Sequence, residues 1–186
     1  MFRTLTLLLA VAAAPSPSAT DVLKARDTQI RKSVQDPGER SRQELQAAVM
    51  KMVDTEAIAR AALGKTWDGQ PKAEQRRFLK ALDSRLRQSI TQQIDFYNSS
   101  KIDYGAEKQV GDSTEVPTSM TSKGDTTEVD YRLRKEAGGW RIVDIVIDGA
   151  STTESYRSSF AKVIAKEGWS GLVARLEKKP AAQASK

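Results

Sequence analysis

Acid–base chemistry in this chain falls to its carboxylates and tyrosines, because the 186 residues include no histidine and no cysteine. The commonest general base, the thiolate nucleophile and nearly every zinc or copper ligand set are thereby removed. Ser151 follows Gly149 by two positions, as in a nucleophile elbow, but residue 153 is threonine and no histidine is available to activate the hydroxyl. The same serine opens Ser151-Thr152-Thr153-Glu154, which has the spacing of a helix capping box, so a cap is the expected role. Gly138-Gly139 joins two apolar runs with strand character and does not lead from a strand into a helix, so it is no phosphate loop. A proton transfer through Asp144 or Tyr131 would be the remaining chemistry, an isomerase-like activity on a helix-on-curved-sheet fold. Against it stands Asp144 as a buried acid paired with an arginine, which is the stronger expectation. Arg157, one turn into its helix, is expected to be the structural partner of Asp144 or Asp148. The residues point to no catalysis, no cofactor and no metal.

The elements that would hold these residues change type halfway along the chain. Residues 20 to 34 and 39 to 53 have helical periodicity and are separated by Asp36-Pro37-Gly38, which would break one continuous helix. A short helix should start at Asp54 or Thr55, carry Ile58, Ala59, Ala62 and Leu63, and stop at Gly64. A loop from Lys65 to Gln70 containing Trp67 follows. The longest helix is expected from Pro71 to about Tyr97, with Phe78, Leu82, Leu86, Ile90 and Ile94 forming one stripe. From Lys101 the pattern alternates. Ile102, Tyr104 and Ala106 mark a first strand, Val116, Thr118 and Met120 a second, Val129, Tyr131 and Leu133 a third, and Trp140 to Ile147 a fourth. The fourth is apolar on both faces, Trp140, Ile142 and Val146 on one and Val143, Ile145 and Ile147 on the other, so it is expected to be central. A helix from Ser151 to Lys166, ended by Gly168, and a short one carrying Leu172, Val173 and Leu176 complete the chain. The fold class is α+β, with helices on a four-stranded antiparallel meander.

At the amino terminus, Arg3 precedes an apolar run from Leu5 to Ala14 that is about half the ~20 residues a membrane-spanning helix needs. Residues 1–19 are therefore expected to be a cleaved export signal, cut after Ala14, Ser18 or Ala19, with the periplasm the expected compartment. Residues 20–177 would form one domain and 178–186 a disordered tail. The formal charge is +6. Basic and acidic residues are interspersed, as in Glu39-Arg40-Ser41-Arg42-Gln43-Glu44, which argues against nucleic acid. A mildly basic surface facing anionic membranes or acidic partners is one expectation, and a plainly solvated surface is the stronger one.

Two separated segments carry a resemblance. One is Gly139-Trp140-Arg141-Ile142-Val143-Asp144-Ile145-Val146-Ile147-Asp148-Gly149-Ala150-Ser151, followed by Tyr156-Arg157-Ser158-Ser159-Phe160. The other is Asp54-Thr55-Glu56-Ala57-Ile58-Ala59-Arg60-Ala61-Ala62-Leu63-Gly64-Lys65-Thr66-Trp67 with Gln75-Arg76-Arg77-Phe78. In order and spacing they resemble the MlaC family, over roughly residues 25 to 178. The resemblance implies a monomeric periplasmic phospholipid carrier working between an outer-membrane lipoprotein complex and an inner-membrane ABC transporter. It also implies a curved sheet and helices enclosing an apolar cavity for acyl chains. Candidate lining residues are Val129, Tyr131, Leu133, Trp140, Ile142 and Val146 from the sheet, and Leu82, Leu86, Tyr156 and Phe160 from helices. Apolar residues at these spacings also serve as ordinary core. A hopanoid-associated or other lipid carrier, a ligand-free transporter adaptor and a small enzyme on the same fold are the alternatives.

Overall fold

A computed structural model describes the backbone of residues 16–34 and 39–178. The bulk of the expected signal segment, the Asp36-Pro37-Gly38 break, the tail beyond Lys178 and the side chains of Ile90 and Ile94 lie outside the described residues. Helices α1 (Ala19–Val34), α2 (Glu39–Met50), α3 (Thr55–Leu63), α4 (Lys65–Asp68) and α5 (Lys72–Ser99) precede the strands, and α6 (Thr152–Glu177) follows them. The strands are β1 (Lys101–Tyr104), β2 (Lys108–Val110), β3 (Ser113–Val116), β4 (Thr118–Ser122), β5 (Asp125–Glu136), β6 (Gly139–Ile147) and β7 (Ala150–Ser151).

Local chemistry accounts for the helix boundaries. Asp54 caps α3 by accepting from the Ala57 amide at 2.8 Å, and Gly64 ends it at φ +52°, a conformation that favours glycine. The expected loop after Gly64 contains one helical turn, α4, because Trp67 is buried there at 1% exposure and anchors the turn to the core. In α6 the backbone leaves helical geometry at Gly168, with φ +68° and ψ −177°. Only glycine reaches that region readily, so the expected stop is a kink joining two helical segments.

The sheet has seven strands where four were expected, and backbone chemistry explains the difference. Pro117 has no amide hydrogen, so the second expected strand is cut there into β3 and β4, both of which pair with β5. The first expected strand ends at Tyr104 in β1, where the Gly105 amide donates to the Pro117 carbonyl at 2.8 Å, and β2 forms beyond it, outside any expected strand. Ala106 thus falls between strands. All the pairings are antiparallel.

Strand β6 is not central. One edge pairs with β5, and the other is covered by β7 and by the linker between α2 and α3. The Ile142 amide donates to the Met52 carbonyl at 2.6 Å, and the Asp54 amide donates to the Ile142 carbonyl at 2.8 Å. Linker main chain and the two-residue β7 therefore line the edge that a central position would have given to a long strand. A second departure is a β-bulge: Arg132 stands opposite Asp144 and Leu133 opposite Ile142, which leaves Val143 without an opposite residue. The extra residue flips the alternation beyond it.

Candidate functional site

Residues directly opposite each other in an antiparallel pair share a face of the sheet. Val116 opposes Tyr131, Tyr131 opposes Ile145, and Leu133 opposes Ile142. These five, with Trp140, form one apolar face, and α1 lies over it with Ala19 and Leu23 inserted and Met52 alongside. Leu133 is completely buried there. The amino-terminal strand of contacts is specific: the Trp140 indole donates to the Pro17 carbonyl at 2.9 Å. Ser18 and Asp21 cap α1 reciprocally, the Asp21 amide donating to Ser18 Oγ at 3.1 Å and the Ser18 amide to Asp21 Oδ2 at 3.2 Å.

Farther along the same face, Val129 alternates in phase with Tyr131 and Leu133, and Met120 opposes Thr127. Both are buried, yet neither belongs to the cluster under α1. Helix α5 packs against β4 at this end, and Ser99 and Ser122 share a hydrogen bond of 2.9 Å. Helix α2 packs against both α1 and α5.

The helical candidates gather in a second cluster. Leu82 and Phe160 are buried with Leu86 and Tyr156 packed against them. Phe78 organises this cluster, meeting Phe160 edge-on at 5.6 Å and Trp67 edge-on at 6.0 Å, while Tyr156 stacks on Phe160 at 5.2 Å. The α2–α3 linker separates the two clusters: Met52 belongs to the sheet cluster, Met50 and Val53 to the helical one. Of the ten candidates, Tyr131, Leu133, Trp140 and Ile142 are thus brought together, and so are Leu82, Leu86, Tyr156 and Phe160. Val129 is buried on the sheet face outside both clusters. Val146 opposes Asp130 on the other face, because the bulge at Val143 reverses its side relative to Ile142. Sequence reasoning missed Ala19, Leu23 and Met120. The spacing of Ala19 and Leu23, four apart, could have revealed the first two.

The opposite face of the sheet carries charged residues beside the buried Val146. Arg132 bridges Glu115 at 2.9 Å and Asp144 at 3.3 Å. Asp144 is thus the buried, arginine-paired acid that was expected, but its partner is Arg132. Arg157 instead pairs with Glu154 at 2.8 Å and donates to the Ala61 carbonyl. The Asp144 oxygens also accept from the Ser151 hydroxyl at 2.7 Å, the Thr153 amide at 3.0 Å and the Ile145 amide at 2.9 Å. Ser151 in turn accepts from the Glu154 amide at 3.1 Å, as a cap. Asp144 is committed to structure, and it faces away from Tyr131.

On the apolar face, burial pushes the Tyr131 phenol up to about 12, with the charge of Asp27 adding to the effect. Burial likewise raises Tyr104 and Tyr156. The face therefore presents neutral phenols at any physiological pH. A cleft of about 470 Å³ between α5 and the end of α6 has a different character, lined by Arg85, Glu167, Gly171, Ala174, Arg175 and Lys178. Such walls do not suit an apolar ligand.

The sequence model of the MlaC protein family matches residues 18–178. Among solved structures, the chain is similar to a phospholipid-binding protein from Ralstonia solanacearum, determined in complex with a phospholipid. The TM-score is 0.77 at 22% identity, over 87% of this chain and 96% of that one. The two share a fold.

Proposed function

The chain belongs to the MlaC family, and from that premise we propose that it is a periplasmic phospholipid carrier that catalyses no reaction. It would act as the soluble, monomeric component between an outer-membrane lipoprotein complex and an inner-membrane ABC transporter. The observation that carries this reading is the apolar sheet face that continues past the cluster under α1 to Val129 and Met120, toward α5. Acyl chains would lie along that end of the face. Tyr131, Leu133, Trp140 and Ile142 would close the enclosure as core packed under α1, and Leu82, Leu86, Tyr156 and Phe160 would supply the helical wall. Val146, on the other face, is left out of the proposed lining.

The energetics suit such a job. A sixteen-carbon chain at about 0.8 kcal/mol per methylene costs on the order of 12 kcal/mol to expose to water. Unassisted transfer of a two-chain lipid is correspondingly slow, and an apolar enclosure removes that barrier without any headgroup chemistry.

Two charge insertions on the same face test the assignment. Val129→Asp would set a carboxylate beside acyl chains, so the lipid recovered by organic extraction should fall severalfold while the fold survives, because a vacated enclosure can hydrate the charge. Leu133→Asp lies under α1 with no water to reach, and should cost several kcal/mol of the ~5–15 kcal/mol that holds a domain together. Val129→Asp protein that melts normally and still carries a full complement of lipid would contradict the site. So would Val129→Asp protein that unfolds as Leu133→Asp does, since Val129 would then be packed core.

A further inference from the structure

The charge of this chain is divided between its two layers. Residues 101–151, which form the sheet, hold seven basic against ten acidic residues, whereas the other described residues, 16–34, 39–100 and 152–178, hold 20 against 13. The sheet layer is therefore acidic and the helical part carries more than the whole positive excess.

That excess is concentrated where α5 meets the end of α6. Arg77 and Glu177 form a two-point ion pair, with both contacts at 2.8 Å. Lys80 adds its field to Glu177, and Arg76 stands one turn before Lys80 on the same exposed side of α5. Across the kink at Gly168, Glu167 pairs with Arg175 and also feels Lys166 and Lys178. Arg85 reaches the carbonyls of Arg175, Leu176 and Lys178, which fixes the end of α6 against α5. Among the described residues Arg76, Lys80, Lys166 and Lys178 are exposed and have no ion pair of their own. Seven cations thus share one end of the molecule with Glu74, Glu167 and Glu177.

We propose that this α5–α6 end is the surface on which the protein docks to anionic phospholipid bilayers, with the acidic sheet layer turned away. The inference rests on the carrier reading, because the complexes that would hand lipid to the carrier sit in membranes that it must approach. A field of several cations near an anionic surface attracts within about one Debye length, roughly 8–10 Å at ordinary ionic strength. The opposite sign on the sheet makes the attraction directional, so the molecule is oriented as well as held.

Flotation with vesicles of phosphatidylcholine, alone or with about one third phosphatidylglycerol, tests the proposal on the full mature chain. The protein should float with the anionic vesicles, and binding should fall on the order of tenfold between about 0.05 M and about 0.5 M salt. Lys80→Glu, Lys166→Glu and Lys178→Glu combined should lower partitioning at low salt on the order of tenfold or more. Lys101→Glu, Lys108→Glu and Lys123→Glu combined change the net charge equally on the sheet layer and should leave it nearly unaltered. Equal losses in both variants would overturn the proposal, since net charge alone would then explain binding. Equal binding to neutral and anionic vesicles would also overturn it. Native mass spectrometry of the helical variant keeps the two claims apart. Lipid retained by a variant that no longer floats supports both, and wild-type protein that floats yet never carries lipid supports docking and removes the carrier reading.

Discussion

Asp144 accepts the Ser151 hydroxyl at 2.7 Å, and Ser151 accepts the Glu154 amide at 3.1 Å, so the end of β6 and the start of α6 are secured by one relay. Asp144 is 7% exposed and also holds Arg132 and the Thr153 amide. Removing it leaves the half-buried Arg132 guanidinium with Glu115 alone and the Thr153 amide without its acceptor. Asp144→Ala should therefore lower stability by about 2–4 kcal/mol in urea unfolding, and Asp144→Asn by less, since the amide still accepts. Full stability in Asp144→Ala would mean the relay contributes little.

Alkaline pH should weaken the fold. Tyr131 is raised to about 12 in the folded chain by burial and by Asp27, against about 10 for an unfolded tyrosine. Between those values the unfolded state loses its proton while the folded state keeps it, so stability falls as pH rises through that window. Absorbance titration of tyrosinate should show native protein lagging behind denatured protein above pH ~10. Coincident curves would contradict the burial of this phenol.

Pro17 and Ser18, just before α1, belong to the folded body. Pro17 accepts from the Trp140 indole, Ser18 caps α1, and Ala19 is completely buried. A cut after Ser18 or Ala19 would sever these contacts. Amino-terminal sequencing of exported protein should therefore find a start before Pro17. Trp140→Phe, which keeps the ring but loses the donor, should cost about 1 kcal/mol. A mature chain beginning at Thr20 with unchanged stability would refute both statements.

These contacts also show what the sequence could and could not reveal. Element types were legible because helix and strand periods differ and because Asp54, Gly64, Ser151 and Gly168 are strong punctuation. Pro117 marked a break, as a residue unable to donate within a strand, but the expected strand ran through it. The bulge at Val143 has no sequence mark, since it arises from how β6 registers on β5, and without it Val146 reads as a companion of Ile142. The apolar composition of β6 suggested a central strand, whereas the chain buries it with the main chain of Met52–Asp54. The partner of Asp144 is set by cross-strand register, which places Arg132 opposite it and leaves Arg157 beside Glu154. For the site, the apolar candidates were legible as buried or partly buried residues, but the division of eight of them between two clusters depends on the linker that passes between them.

Native mass spectrometry of the purified mature chain, paired with organic extraction of the same sample, tests the central claim most directly. The account predicts a bound species whose added mass equals one or more membrane phospholipids, recovered intact in the extract. A chain that carries no lipid in any preparation, and takes up none when incubated with phospholipid vesicles, would contradict it.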